Sequence, residues 1–145
     1  MIHRERVADD VYTFQSDVYA QVNAGAVVSQ EWAVVIDTLA FPEEALAIRE
    51  FIEEELERKV RYVINTHYHA DHSWGNCYFP GAFVLSHDLC RENLQKFGVP
   101  SLDRARETDT LFQKTQIVLP HLTLESGTVE LAVGEKTLRV IELPG

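Results

Sequence analysis

Thr66-His67-Tyr68-His69-Ala70-Asp71-His72-Ser73-Trp74-Gly75 decides how the rest of the chain is read. The stretch places four metal-ligand side chains, His67, His69, Asp71 and His72, within six residues and holds three of the chain's six histidines. It follows Val60 to Asn65, a β-branched and aromatic run that predicts a buried strand, so the histidines fall where a strand opens into a loop. In extended chain, side chains two apart point the same way, and His67 and His69 therefore face one point in space. Once the chain begins to turn, Asp71 and His72 approach from the other side, placed to serve a second ion. Imidazole with carboxylate suits zinc, with iron or manganese as alternatives. Tyr68 and Ala70 act as spacers. A zinc-protease site is excluded, because that motif needs two histidines four apart on a helix around a Glu.

Upstream, Val11 to Phe14, Val18 to Val28 and Trp32 to Ile36 are separated by polar turns at Gln15 to Asp17 and Ser29 to Glu31, which predicts an antiparallel meander. Trp32 to Ile36 is apolar without alternation, so both of its faces should be covered. Asp37 ends that strand. A carboxylate closing a buried strand is costly unless paired, so Asp37 either orients a ligand histidine or forms the turn before Thr38. Pro42 to Arg58 predicts a helix, with Pro42 in its first turn, Glu43 and Glu44 at its positive end, and Arg58 and Lys59 at its negative end. Ile48, Phe51, Ile52 and Leu56 form its buried stripe, and Glu53 to Glu55 its solvated face. Strand, helix and the strand from Val60 make a crossover unit, which implies a parallel pair with ligands at its carboxyl end.

Downstream, Trp74 reads as a core aromatic under the motif loop, ahead of the alternative that it walls a substrate pocket. Ala82 to Leu85 predicts a short strand and Ser86 the cap of a helix that stops at Gly98, with Pro100 beyond. Ser101 is expected to cap another helix through Phe112, and Gln116 to Ser126 to be irregular with one short strand. Thr128 to Val133 and Thr137 to Leu143 form a hairpin around Gly134-Glu135-Lys136. His3, His87 and His121 have no ligand neighbour at a useful spacing and read as structural. Cys77 and Cys90 are not a C-x-x-C pair and read as small buried hydrophobes.

Composition bounds the function classes. The 145 residues make one domain at most, 46% hydrophobic and 25% charged, with a formal net charge of -10 from 23 acids against 13 bases. Phosphate binding depends on concentrated Lys and Arg, so nucleic acid is not an expected partner. No run approaches membrane-spanning length and Met1 to Arg6 has no apolar signal core, so a cytoplasmic protein is expected, unless a leader has been removed.

The His-x-His-x-Asp-His pattern closely resembles the first metal motif of the metallo-β-lactamase-fold hydrolases. That resemblance implies a sheet-on-sheet αββα sandwich with helices outside and metals at one rim. In the family a strand leads into a Pro-Gly-His turn, whereas this chain ends Glu142-Leu143-Pro144-Gly145. Residues 1–145 are therefore expected to be the N-terminal half of one such domain, a mixed sheet with helices on one face. The third histidine, the acidic residue bridging the metals and the last histidine of the family have no counterpart here. The resemblance implies a small-molecule hydrolase acting on an ester, thioester, lactone or lactam through a metal-bound hydroxide, with two zinc ions about 3.5 to 4 Å apart in the intact protein. His67 and His69 would hold the first ion, Asp71 and His72 the second, with Asp71 also orienting the nucleophile or taking its proton. Asp37, which matches the family's acidic residue at that strand end, and Thr66 would support the ligands from behind. Gly75-Asn76 favours the thioesterase, lactonase and β-lactamase members. Relatives with the same motif oxidise sulfur with a single iron, and a metal-binding or interaction fragment without turnover is the non-enzymatic alternative. Because the family packs one half's sheet on the other's, a homodimer or a separate C-terminal chain is expected over the exposed sheet.

Overall fold

The computed structural model describes residues 2–18 and 21–143. Seven strands form one mixed sheet in the order β1 (His3–Ala8), β2 (Val11–Gln15), β3 (Asn23–Val28), β4 (Trp32–Ile36), β5 (Lys59–Ile64), β6 (Phe83–His87) and β7 (Leu122–Leu124). The first three pairings are antiparallel and the last three parallel. The parallel pairing of β4 with β5 follows from the crossover through helix α1 (Pro42–Glu50), as expected.

The two faces of the sheet are covered differently. Ala45, Ile48, Phe51 and Ile52 of the α1 region pack on Phe14, Ala26, Ala33, Val35, Val63 and Val84, a closed apolar layer. Each large side chain buried there contributes about 1.5–3 kcal/mol relative to its exposed state. On the other face, Val27, Val34, Ile64 and Leu85 meet Leu131, Val133, Leu138 and Val140 of the hairpin β8 (Thr128–Val133) and β9 (Lys136–Ile141). Alternation along β4 thus sends Ala33 and Val35 to the helices and Val34 to the hairpin, which is why that strand is apolar throughout. The outward face of the hairpin is mostly polar and carries a Glu130–Arg139 pair. Beyond the hairpin, Phe83 and Leu122 of the sheet remain 51% and 48% exposed.

Several local expectations are corrected. The strand expected from Val18 begins at Asn23; Gln21 has φ 53°, and Tyr19, Ala20, Pro144 and Gly145 lie outside the described residues. The helix from Pro42 ends in a π turn at Phe51–Glu55, short of Arg58. Glu57 takes a left-handed φ of 55°, and the Arg58 N–H donates back to Ile52 O at 2.9 Å, which closes the helix. Ser86 lies inside β6, and His87 is the cap, its Nδ1 accepting from Leu89 N at 3.0 Å. Gly98 does not stop the helix. Helix α3 (Asp88–Asn93) passes through a π turn (Leu94–Gly98) into α4 (Val99–Thr108), with Gly98 at helical φ -67°. The Val99 N–H reaches back five residues to Leu94 O, and this widened turn accommodates Pro100, which has no N–H to give. Ser101 is therefore interior to α4, which ends at Thr108; a 3₁₀ turn covers Thr110–Phe112. Strand β1 was not expected, because His3 to Ala8 is exposed throughout and has no apolar alternation.

No helix among the described residues is long and apolar enough to cross a membrane.

Candidate metal centre

The motif starts where β5 ends. Thr66 to His69 run without regular structure, and His69, at φ -55° and ψ 150°, leads into the four-residue helix α2 (Ala70–Ser73). Ser73 fixes that entry, its hydroxyl donating to Tyr68 O at 2.8 Å and His69 O at 3.0 Å. A 3₁₀ turn over Trp74–Tyr78 carries the chain beneath the sheet rim. Gly75 is required there: a Cβ at this position would lie 2.3 Å from Thr38 O. Trp74 is buried with Leu102 and Phe112, the core position expected for it.

Asp37 lies at the carboxyl end of β4, beside the end of β5. Its φ is 60°, a left-handed conformation that Asp tolerates better than most residues, and its side chain is buried. The carboxylate accepts from three groups: the Thr66 N–H at 2.8 Å, the Thr66 hydroxyl at 2.7 Å and His72 Nδ1 at 2.7 Å. Of the two readings of Asp37, the contact to a motif histidine is present, while no turn is formed at Asp37 or Thr38. Since the Thr66 hydroxyl gives its proton to Asp37, it accepts from His67 Nδ1, 3.0 Å away. Both His67 and His72 thus have Nδ1 tied and Nε2 free as a lone-pair donor.

The three imidazoles cluster. The His67 ring centroid is 4.1 Å from that of His72 and 4.7 Å from that of His69, and His72 Nε2 is 3.5 Å from Asp71 Oδ2. The Asp37 hydrogen bond raises the pKa of His72 above the usual 6.5. Burial lowers that of His67, helped by its proximity to His72 and His69. His69 is exposed.

Behind the motif lies a buried polar scaffold that the linear pattern did not disclose. Asn65 and Asn76 pair amide to amide at 3.0 and 2.7 Å, and the Thr38 hydroxyl donates to Asn76 Oδ1 at 3.1 Å. The backbone carbonyl of His72 accepts from Thr38 N at 3.1 Å and from Asn65 Nδ2 at 3.2 Å. These three residues fix His72 from the backbone side as Asp37 does from the ring side. The other histidines have structural partners: His3 lies 3.4 Å from Asp17, His87 Nε2 is 2.8 Å from Glu125 O, and His121 Nδ1 accepts from Val84 N at 3.0 Å. Burial raises the pKa of Cys77 and of Cys90, so neither thiol is a ready ligand.

In chemistry the donors fit a divalent ion, with free Nε2 atoms beside a carboxylate. In number they fall short: among the described residues no group of three or more His, Cys, Asp or Glu is arranged to hold one. A catalytic zinc takes three protein ligands and keeps one open position.

The architecture is a mixed α/β sheet with helices on one face, a hairpin on the other and the motif histidines at the carboxyl rim. The family model for the metallo-β-lactamase superfamily matches residues 19–145, and the chain belongs to that superfamily. Its fold is similar to a metallo-β-lactamase from Pontibacter korlensis at TM-score 0.71 and 18% identity, covering 96% of this chain and 59% of that one. A metallo-β-lactamase from Hirschia baltica matches at 0.67 and 14%, covering 90% and 56%. FIM-1 from Pseudomonas aeruginosa, solved in a mono-zinc form, matches at 0.65 and 13%, covering 88% and 54%. The chain spans a little over half the length of these structures.

Proposed function

We propose that this chain carries one half of the metal site of a metal-dependent hydrolase, with zinc as the first choice of ion and iron or manganese as alternatives. The observation that carries the proposal is the Asp37-centred network, which leaves the Nε2 atoms of His67 and His72 free beside His69 and Asp71. His67 and His69 would hold one ion, and Asp71 and His72 a second. The remaining ligands would come from polypeptide beyond the described residues. A bound divalent ion supplies Lewis acidity, polarising a carbonyl and acidifying water. Asp37 would keep the imidazoles in register, and Thr66 would pass that constraint to His67. Asp71 lies at the open side of the cluster, where it would orient the attacking water or take its proton. The substrate class is an ester, thioester, lactone or lactam, each offering a carbonyl to polarise.

A hydrolysis panel of those four carbonyl classes tests this, with zinc or manganese added. The substrates are offered to this chain and to a natural form spanning the full length of the solved relatives. Turnover is expected only from the longer form, lost on Asp71→Ala. Turnover by the longer form that survives both Asp71→Ala and chelator would contradict it.

A further inference from the structure

An open cavity of about 330 Å³ adjoins the motif, and Tyr68, His69 and Trp74 are among the residues that line it. The α3–α4 junction adds Lys96, Phe97 and Arg104. The Tyr68 and Phe97 rings are neighbours at 6.0 Å between centroids, tilted by 38°, and together make one aromatic side of the cavity. Trp74 is buried beneath it, whereas Phe97 is 46% exposed although it is a large apolar side chain.

The charge is the second half of the observation. The chain has a formal net charge of -10, yet no acidic residue lines this cavity and two cations do. Among the described residues neither cation is in an ion pair: Lys96 lies 5.2 Å from the Phe97 ring centroid, and Arg104 donates to Ser101 Oγ at 3.2 Å. Most other arginines nearby are engaged; Arg106 holds Asp103, and Arg91 donates to Pro120 O. Two unpaired cations beside an aromatic side, opening on a metal-motif histidine, form a recognition surface for an anion on a flat or acyl body.

We propose that this cavity binds the anionic end of the substrate: Lys96 and Arg104 hold a negatively charged group, Tyr68 and Phe97 pack against the apolar part, and the carbonyl to be cleaved lies toward His69. The substrate is thus an anionic member of the proposed carbonyl classes and not a neutral one. Calling the ligand a substrate rests on the hydrolase function proposed above, but binding at the cavity needs no metal. Lys96 and Arg104 are specificity residues with no part in the chemistry.

The test titrates the metal-free chain with 1-naphthoate and, separately, with its neutral counterpart 1-naphthamide, following ligand and Tyr68 signals by NMR. Saturable naphthoate binding is expected, weaker for the amide, and reduced about tenfold in Lys96→Gln/Arg104→Gln, the size of two partly exposed charge contacts. Phe97→Ala should weaken both ligands alike. Equal affinity for acid and amide, unchanged naphthoate affinity in the double variant, or no naphthoate binding would each overturn the assignment. A zinc titration of the same samples keeps the two proposals apart. A chain that binds naphthoate through Lys96 and Arg104 yet holds no zinc loses the hydrolase function and keeps the anion pocket, and the reverse result loses only the pocket.

Discussion

The two ends of the metal motif are built to different standards. From Asp71 to Asn76 the chain is tied down: the His72 ring by Asp37, the His72 carbonyl by Thr38 and Asn65, and Asn76 by the Asn65 amide. From His67 to His69 there is no regular structure; the His67 ring is held through Thr66 and the Tyr68 and His69 carbonyls by Ser73, but His69 is exposed. The difference teaches where the order of the site comes from. The carboxyl end is positioned by the folded core, because its supporting groups are buried at the ends of β4 and β5. The amino end has its donors close together, with His69 exposed.

That contrast can be broken by unequal mutations. Asn76→Ala removes the paired amide and leaves the buried Asn65 and Thr38 side chains short of partners, at a cost of about 3 kcal/mol in unfolding free energy. His69→Ala, at an exposed position, should cost less than about 0.5 kcal/mol. Denaturant unfolding of the two metal-free variants reads both values. Similar losses would mean that the two ends are equally supported.

A smaller effect sharpens the same contrast. In the metal-free chain His72 should titrate above 6.5, because Asp37 holds its proton, and His67 below 6.5, because burial and its neighbours oppose a charge. The linkage has opposite signs at the two residues. The His72 contribution to stability is full below 6.5 and fades as pH rises through its folded pKa, whereas the His67 contribution is full above 6.5 and fades as pH falls through its folded pKa. Imidazole proton shifts followed by NMR against pH separate the two. Asp37→Asn should lower the His72 midpoint. Coincident midpoints in the unmodified chain would contradict the network.

Much of this arrangement was legible in the sequence, for a physical reason. His67, His69, Asp71 and His72 are close in sequence, and the strand before them and the glycine after them are local signals, so their clustering needed no long-range information. The uniform apolarity of Trp32 to Ile36 likewise announced a strand covered on both faces. Asp37 was visible as a carboxylate ending that strand, but its contact with His72 spans 35 residues and depends on β4 and β5 pairing in parallel. The Asn65–Asn76–Thr38 scaffold was hidden because amides carry no periodicity and are as common in exposed turns as in buried networks. Gly98 and Pro100 misled through a rule that holds for regular helices: they mark an end unless a π turn shifts the hydrogen-bond ladder. Strand β1 was missed because an exposed edge strand has no buried face to write an alternating pattern into the sequence.

His67, His69, Asp71 and His72 are proposed as metal donors, with His72 held by Asp37 directly and His67 through Thr66. Zinc titration against a competing chelator, run on the unmodified chain, His67→Ala/His69→Ala and Asp37→Ala, tests this most directly. Weak zinc binding that the chelator strips readily is expected, with loss of the first pair's share in the double variant and about a 10- to 100-fold weaker affinity in Asp37→Ala. Tight zinc retained in His67→Ala/His69→Ala would contradict this and place the metal elsewhere.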